Sequence, residues 1–237
     1  MKNYKYIALF LLSLGVVSCD SNDFDPITEQ TEAEVALDTN GLDFSKYVSI
    51  GASFTAGYTD GALFAAAQEN SFPNILASKF GTDFKQPLMA DNIGGLVFNG
   101  TAVQPPRFYF NGAGPVRLPA TPTTQLGVTV TGPFNNFGAP GAKSFHLSVP
   151  GYGQLNPYFG RMASSATATV MGDALAQSPT FFTLSEIGGN DVLSYALSGG
   201  SGVDRSENTA TNLNPANYGV NDITNPTVFA QVFNGMV

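Results

Sequence analysis

Apolar positions along the chain come in short runs broken by glycine, proline and asparagine, and few of them keep a helical spacing for long. Tyr47, Val48 and Ile50, closed by Gly51, carry the apolar and β-branched character of a short buried strand. The stretch NSFPNILASKFG (70–81) changes period and predicts a helix. Ser71 stands at its N-cap, Pro73 in its first turn and Gly81 at its stop, with Ile75, Leu76 and Phe80 on one face. Residues 92–135 are rich in Gly, Pro, Thr and Asn and predict a β-rich excursion; within it RFYFNGAGPVRL reads as a hairpin turning at Asn111-Gly112. A helix is expected near Thr169 to Gln177, stopped before Pro179. TFFTLSEIGGNDVLSYAL (180–197) then repeats the earlier plan of apolar strand, glycines and helix. Residues 199–226 read as surface loop, and PTVFAQVFNGMV as the start of a last helix.

Strand, glycine turn and helix, met twice, point to an open α/β sheet with parallel strands. At 237 residues with 43% apolar content the chain can bury a substantial core, and 26 glycines with 15 prolines favour many turns over long helices. The formal charge of −8 leaves no basic stripe to neutralise phosphates, which argues against a nucleic-acid partner.

The first residues have a different character. Lys2 and Lys5 precede the apolar run YIALFLLSLGVVS, which is short for a membrane span, and the run ends at Cys19, the sole cysteine. VVSC resembles the lipobox of bacterial lipoproteins. That resemblance implies a signal peptide over 1–18, acylation of Cys19 and a membrane anchor at the cell envelope, most simply the outer membrane; the plainer alternative is an ordinary signal peptide. Loss of Lys2 and Lys5 would take the charge from −8 to −10. Residues 20–45 hold eight acidic residues and no basic one, the composition of a solvated tether, so a lipidated tether over 19–45 and a folded domain over 46–237 are expected.

Three glycine-marked stretches stand out in that domain: Gly51-Ala52-Ser53, Asn136 to Gly141, and Gly188-Gly189-Asn190-Asp191. In a parallel α/β sheet, strand ends of this kind line one crevice. Glycines let backbone N–H groups approach a ligand closely, an asparagine amide adds a side-chain donor, and a serine hydroxyl can serve as nucleophile. GASFTAG, NFGAPGAKS and GGND, in that order, resemble the first three blocks of the SGNH (GDSL-type) hydrolases. The resemblance covers about Tyr47 to Leu193, with a long insert between the first two blocks. It implies a three-layer α/β/α sandwich with a flavodoxin-like parallel sheet and ester hydrolysis without a cofactor or metal. By the same resemblance Ser53 is the nucleophile, and Gly141 N–H and the Asn190 amide are oxyanion donors.

Two departures from that family are visible. Ala52 stands where the family has Asp before the serine, and the Asp-x-x-His block that supplies the base is absent. The single histidine, His146, has Lys143 three positions before it. The expectation is therefore an N-terminal portion of a longer hydrolase, with the sheet incomplete and the base beyond residue 237. Plainer roles stay open: Ser53 and Gly141 as turn residues, Asn190 and Asp191 as helix caps, His146 as a satisfied loop residue. The alternative function is a non-catalytic surface lipoprotein that binds a glycan or lipid. The α/β-hydrolase elbow fails because Thr55 occupies its second glycine position.

Overall fold

The computed structural model describes residues 37–237. The signal segment 1–18, the lipidation expected at Cys19 and the tether as far as residue 36 lie outside the described residues. Packing of the folded unit reaches back to Phe44, whose ring stacks on Phe80 at 4.2 Å.

Strand β1 (Tyr47–Gly51) is buried along its whole length. One residue later the short helix α1 (Ser53–Ala56) begins, followed by α2 (Ala65–Glu69) and α3 (Phe72–Phe80). α3 has the expected ends: Ser71 at the N-cap, Pro73 in the first turn, and Gly81 in the left-handed conformation at φ +67°. Its inner face differs from expectation, because Ile75 is exposed while Pro73 and Ala77 are buried.

The excursion consists of two antiparallel hairpins, β2 (Leu96–Phe98) with β3 (Thr101–Gln104) and β4 (Phe108–Phe110) with β5 (Pro115–Arg117). Asn111 opens the second turn, its Oδ1 accepting from Ala113 N–H and Gly114 N–H at 3.0 Å each. Arg117 fastens this hairpin to the domain: its guanidinium lies 3.7 Å from the Phe108 ring and donates to Gly61 O and Pro106 O.

The chain re-enters at β6 (Asn136–Gly138), passes through α4 (Pro157–Gly160) and α5 (Val170–Leu175), and forms β7 (Phe181–Leu184), α6 (Gly189–Leu197) and α7 (Pro226–Met236). α5 starts where expected, with Thr169 Oγ1 accepting from Gly172 N–H. It ends two residues early, ahead of Ser178 at φ +53°. Residues 199–226 are more ordered than a plain surface loop: buried Asp222 pairs with Arg205 at 2.7 Å, and fully buried Asn225 caps α7.

β1, β6 and β7 form one parallel sheet with β1 in the middle, in spatial order β6-β1-β7. Helices lie against both faces. Because alternate residues of a strand point to opposite sides, Val48 and Ile50 join Phe137, Phe159, Val170, Met171 and Ala174 in the main core. On the other face Tyr47 meets Phe80 of α3 edge-on at 5.3 Å, and its hydroxyl is 2.9 Å from Thr183 Oγ1. The molecule is thus a mixed α/β fold around a three-stranded parallel sheet.

Candidate active site

All three strands end on the same side, and the register sets Gly51 beside Gly138 and Ile50 beside Leu184. The three marked stretches therefore emerge next to one another. Ser53 is the first residue of α1, with Ala52 rather than Ser53 at the N-cap, and it is half-buried. Two glycines permit this tight exit. A Cβ on Gly51 would lie 2.6 Å from Ser185 O, and one on Gly138 would overlap the backbone of Ala56. Asn136 fastens the second stretch to the first, its amide donating to Thr55 O at 2.7 Å while Oδ1 accepts from Gly138 N–H at 2.9 Å.

Pro140 and Gly141 occupy the centre of a turn closed by Ala142 N–H to Ala139 O at 3.0 Å. Gly141 has φ +82° and is exposed, so it is a turn glycine as well as a candidate donor. At the third stretch Gly188, not Asn190 or Asp191, takes the N-cap position of α6 at φ +99°. Asn190 and Asp191 reach sideways instead. One Asn190 amide N–H donates to Ala142 O at 2.8 Å, and buried Asp191 accepts from both N–H and Oγ of Ser144 at 2.8 Å. These bonds bind the Gly141 turn to the start of α6.

The structure thus brings together the surroundings of Ser53, Gly141 and Asn190. Among the described residues, the N–H groups of Ser53 and Gly141 donate to no protein acceptor and the Ser53 hydroxyl has no partner. The Asn190 amide has a second N–H beyond the one it uses.

Beside them opens a cavity of about 610 Å³ whose walls include Gly141, Asn190, Phe145, Leu193, Leu197 and Tyr218. Ser53 is not part of its wall. Lys143 and His146 also line it. Lys143 is buried and donates through Nζ to Asp222 O; burial outweighs the nearby Asp191 and Asp222 carboxylates and lowers its pKa. His146 stacks on Tyr152 with ring centres 4.6 Å apart, and its Nδ1 accepts from Lys143 N–H at 3.1 Å. Burial first, and Lys143 second, push its pKa down to about 4. The ring is therefore neutral at pH 7 with Nδ1 occupied and the proton on Nε2, which leaves no free lone pair to take a proton from a serine.

Residues that sequence reasoning passed over complete the site. Glu186, two residues past β7, accepts from Phe54 N–H with both carboxylate oxygens at 2.9 Å. In the sequence Asp191 reads only as a helix cap, and Lys143 only as the residue three positions before His146. The one local signal for Glu186 was an acid placed between an apolar strand and two glycines.

No protein-family model, curated protein or solved structure matches this chain.

Proposed function

We propose that the protein is a serine ester hydrolase of SGNH type, built on a flavodoxin-like sheet and tethered to the bacterial envelope by lipid on Cys19. What supports this reading is that three stretches, each with an uncommitted donor, leave neighbouring ends of one parallel sheet, one of them carrying a free hydroxyl. Ser53 N–H, Gly141 N–H and the second Asn190 N–H sit at the carboxyl ends of adjacent parallel strands, where a tetrahedral oxyanion would be held. Ser53 Oγ attacks the acyl carbonyl, the oxyanion forms against these donors, and the alcohol departs with a proton. The resulting acyl-enzyme is then hydrolysed by water. The apolar cavity beside Gly141 and Asn190 receives the acyl chain. The base is a group other than His146, whose Nδ1 is taken.

Turnover of p-nitrophenyl acyl esters by the full-length protein tests this. Ser53→Ala is expected to abolish turnover, and Asn190→Ala to lower kcat about 10²–10³-fold, the usual loss of one oxyanion donor. Unchanged rates in both variants would refute the assignment.

A second reading draws on the state of His146: with no free histidine base among the described residues, the cavity would bind a lipid or glycan without turnover. Saturable binding of decanoate by a full-length protein that hydrolyses no ester would favour it.

A further inference from the structure

The helix that carries Ser53 is a single turn, and the first N–H groups of any helix lack an acceptor within it. Its N-cap, Ala52, has no side-chain oxygen to offer, and no local side chain caps it. The acceptor comes instead from Glu186, 132 residues further along the chain. Both of its oxygens lie 2.9 Å from the Phe54 nitrogen, so one carboxylate accepts that N–H in a forked bond.

This arrangement is costly. Glu186 adopts φ +51°, a conformation that residues with a Cβ rarely take, and its carboxylate is half-buried. Burial raises its pKa, and no cation contributes to offset that effect. A cap on four residues is a small return in stability, because a helix of one turn adds little to a fold. The return lies in geometry. With Phe54 N–H held by both oxygens of Glu186, the turn is fixed at the residue next to Ser53, while Ser53 N–H itself has no protein acceptor.

Resting on the esterase reading, we propose that Glu186 is a positioning residue for the nucleophile. It aims Ser53 from the neighbouring strand end, the task that an acid at position 52 would perform locally and that Ala52 cannot.

The test uses the full-length protein as wild type, Glu186→Ala, Glu186→Gln and Ser53→Ala. It measures the rate and final stoichiometry of phosphonylation by a fluorophosphonate, followed by intact mass, together with kcat and KM on p-nitrophenyl butyrate. Glu186→Ala is expected to slow labelling and kcat by roughly 10²-fold, the scale of a misplaced reacting group, with KM and the final labelled fraction unchanged. Glu186→Gln keeps an acceptor oxygen for Phe54 N–H and is expected to recover most of the lost rate. The inference is overturned if Glu186→Ala labels at the wild-type rate. It is equally overturned if the labelled fraction falls in step with the rate, which is unfolding, or if the glutamine variant is as slow as the alanine. A wild type that takes no label, like Ser53→Ala, overturns the esterase reading and this inference with it, and is recognisable as such.

Discussion

On one flank of the crevice β1 and β6 are buried along their whole length and meet through glycine and asparagine; on the other, β7 and α6 leave Phe182, Val192, Leu193 and Leu197 open to solvent. The same parallel pairing joins both flanks to β1, so the contrast lies in side chains and not in backbone architecture. On the buried flank Gly51 and Gly138 leave no room for a side chain and Asn136 ties β6 to the first helix, and what they determine is where Ser53 stands. On the open flank the polar bonds of Asn190 and Asp191 hold the start of α6, while its apolar residues border the cavity without being consumed by the core. One flank fixes the backbone around Ser53; the other leaves apolar side chains open beside a cavity. Exposed apolar side chains lining a cavity are the common mark of such a surface.

The sharpest way to break the contrast is to add one methyl group inside the buried flank, at Gly138, and one at the wall of the open cavity, at Gly141. Gly138→Ala forces a Cβ into the backbone of Ala56 and is expected to cost about 3 kcal/mol or more, at the upper end of overpacking effects. Gly141→Ala meets nothing within 4 Å but must hold φ +82°, so its cost is expected to be about 1–2 kcal/mol. Urea unfolding of both variants measures the gap, and equal losses would erase the distinction between the flanks.

A smaller effect concerns the cavity wall. His146 has its pKa lowered from 6.5 to about 4 in the folded protein, so between those values the unfolded chain binds more protons. The stability contributed by its neutral ring is complete above pH 6.5 and is lost as pH falls toward 4. The loss is expected to be roughly 1–3 kcal/mol, and His146→Gln should flatten this limb of a stability-versus-pH curve. Asp91 and Asp222, whose carboxyls hydrogen bonds hold below the usual range, surrender their contributions only at more acid pH. A limb of unchanged slope in the glutamine variant would assign the acid sensitivity elsewhere.

The smallest expected change in stability belongs to Leu197, which is 78% exposed. Leu197→Ser should shift unfolding by no more than about 0.5 kcal/mol. On the acyl-cavity reading it should raise KM for an eight-carbon ester about five-fold, the factor given by about 1 kcal/mol of lost apolar contact. Loss of stability without a change in KM would make α6 part of the core after all.

Much of the secondary structure was legible because its signals are local. The glycine after Ile50, Ser71 with Pro73 and Gly81 around α3, Thr169 at the head of α5 and Asn111 at the hairpin turn act within a few residues of themselves. Ile75 misled because helical periodicity states which residues share a face without stating whether a neighbour covers it. The loop before α7 looked featureless because its order rests on Asp222 and Asn225, whose partners are scattered from Val203 to Gly219 and include Lys143 far back in the chain.

By itself, then, the sequence determined the strand-turn-helix units and the glycines at their ends, since backbone sterics and periodicity are properties of short segments; Ser53, Gly141 and Asn190 became candidates through the resemblance of three short motifs. The tertiary structure alone decided that β1 lies between β6 and β7, that Asn190 is bonded to Ala142, that His146 spends its Nδ1 on Lys143, and that the cap missing at Ala52 is supplied by Glu186. Most of these choices join groups far apart in the chain, and even the short-range bond of His146 depends on how its loop packs. Their free energy comes from burial and hydrogen bonding that exist only once the sheet has assembled.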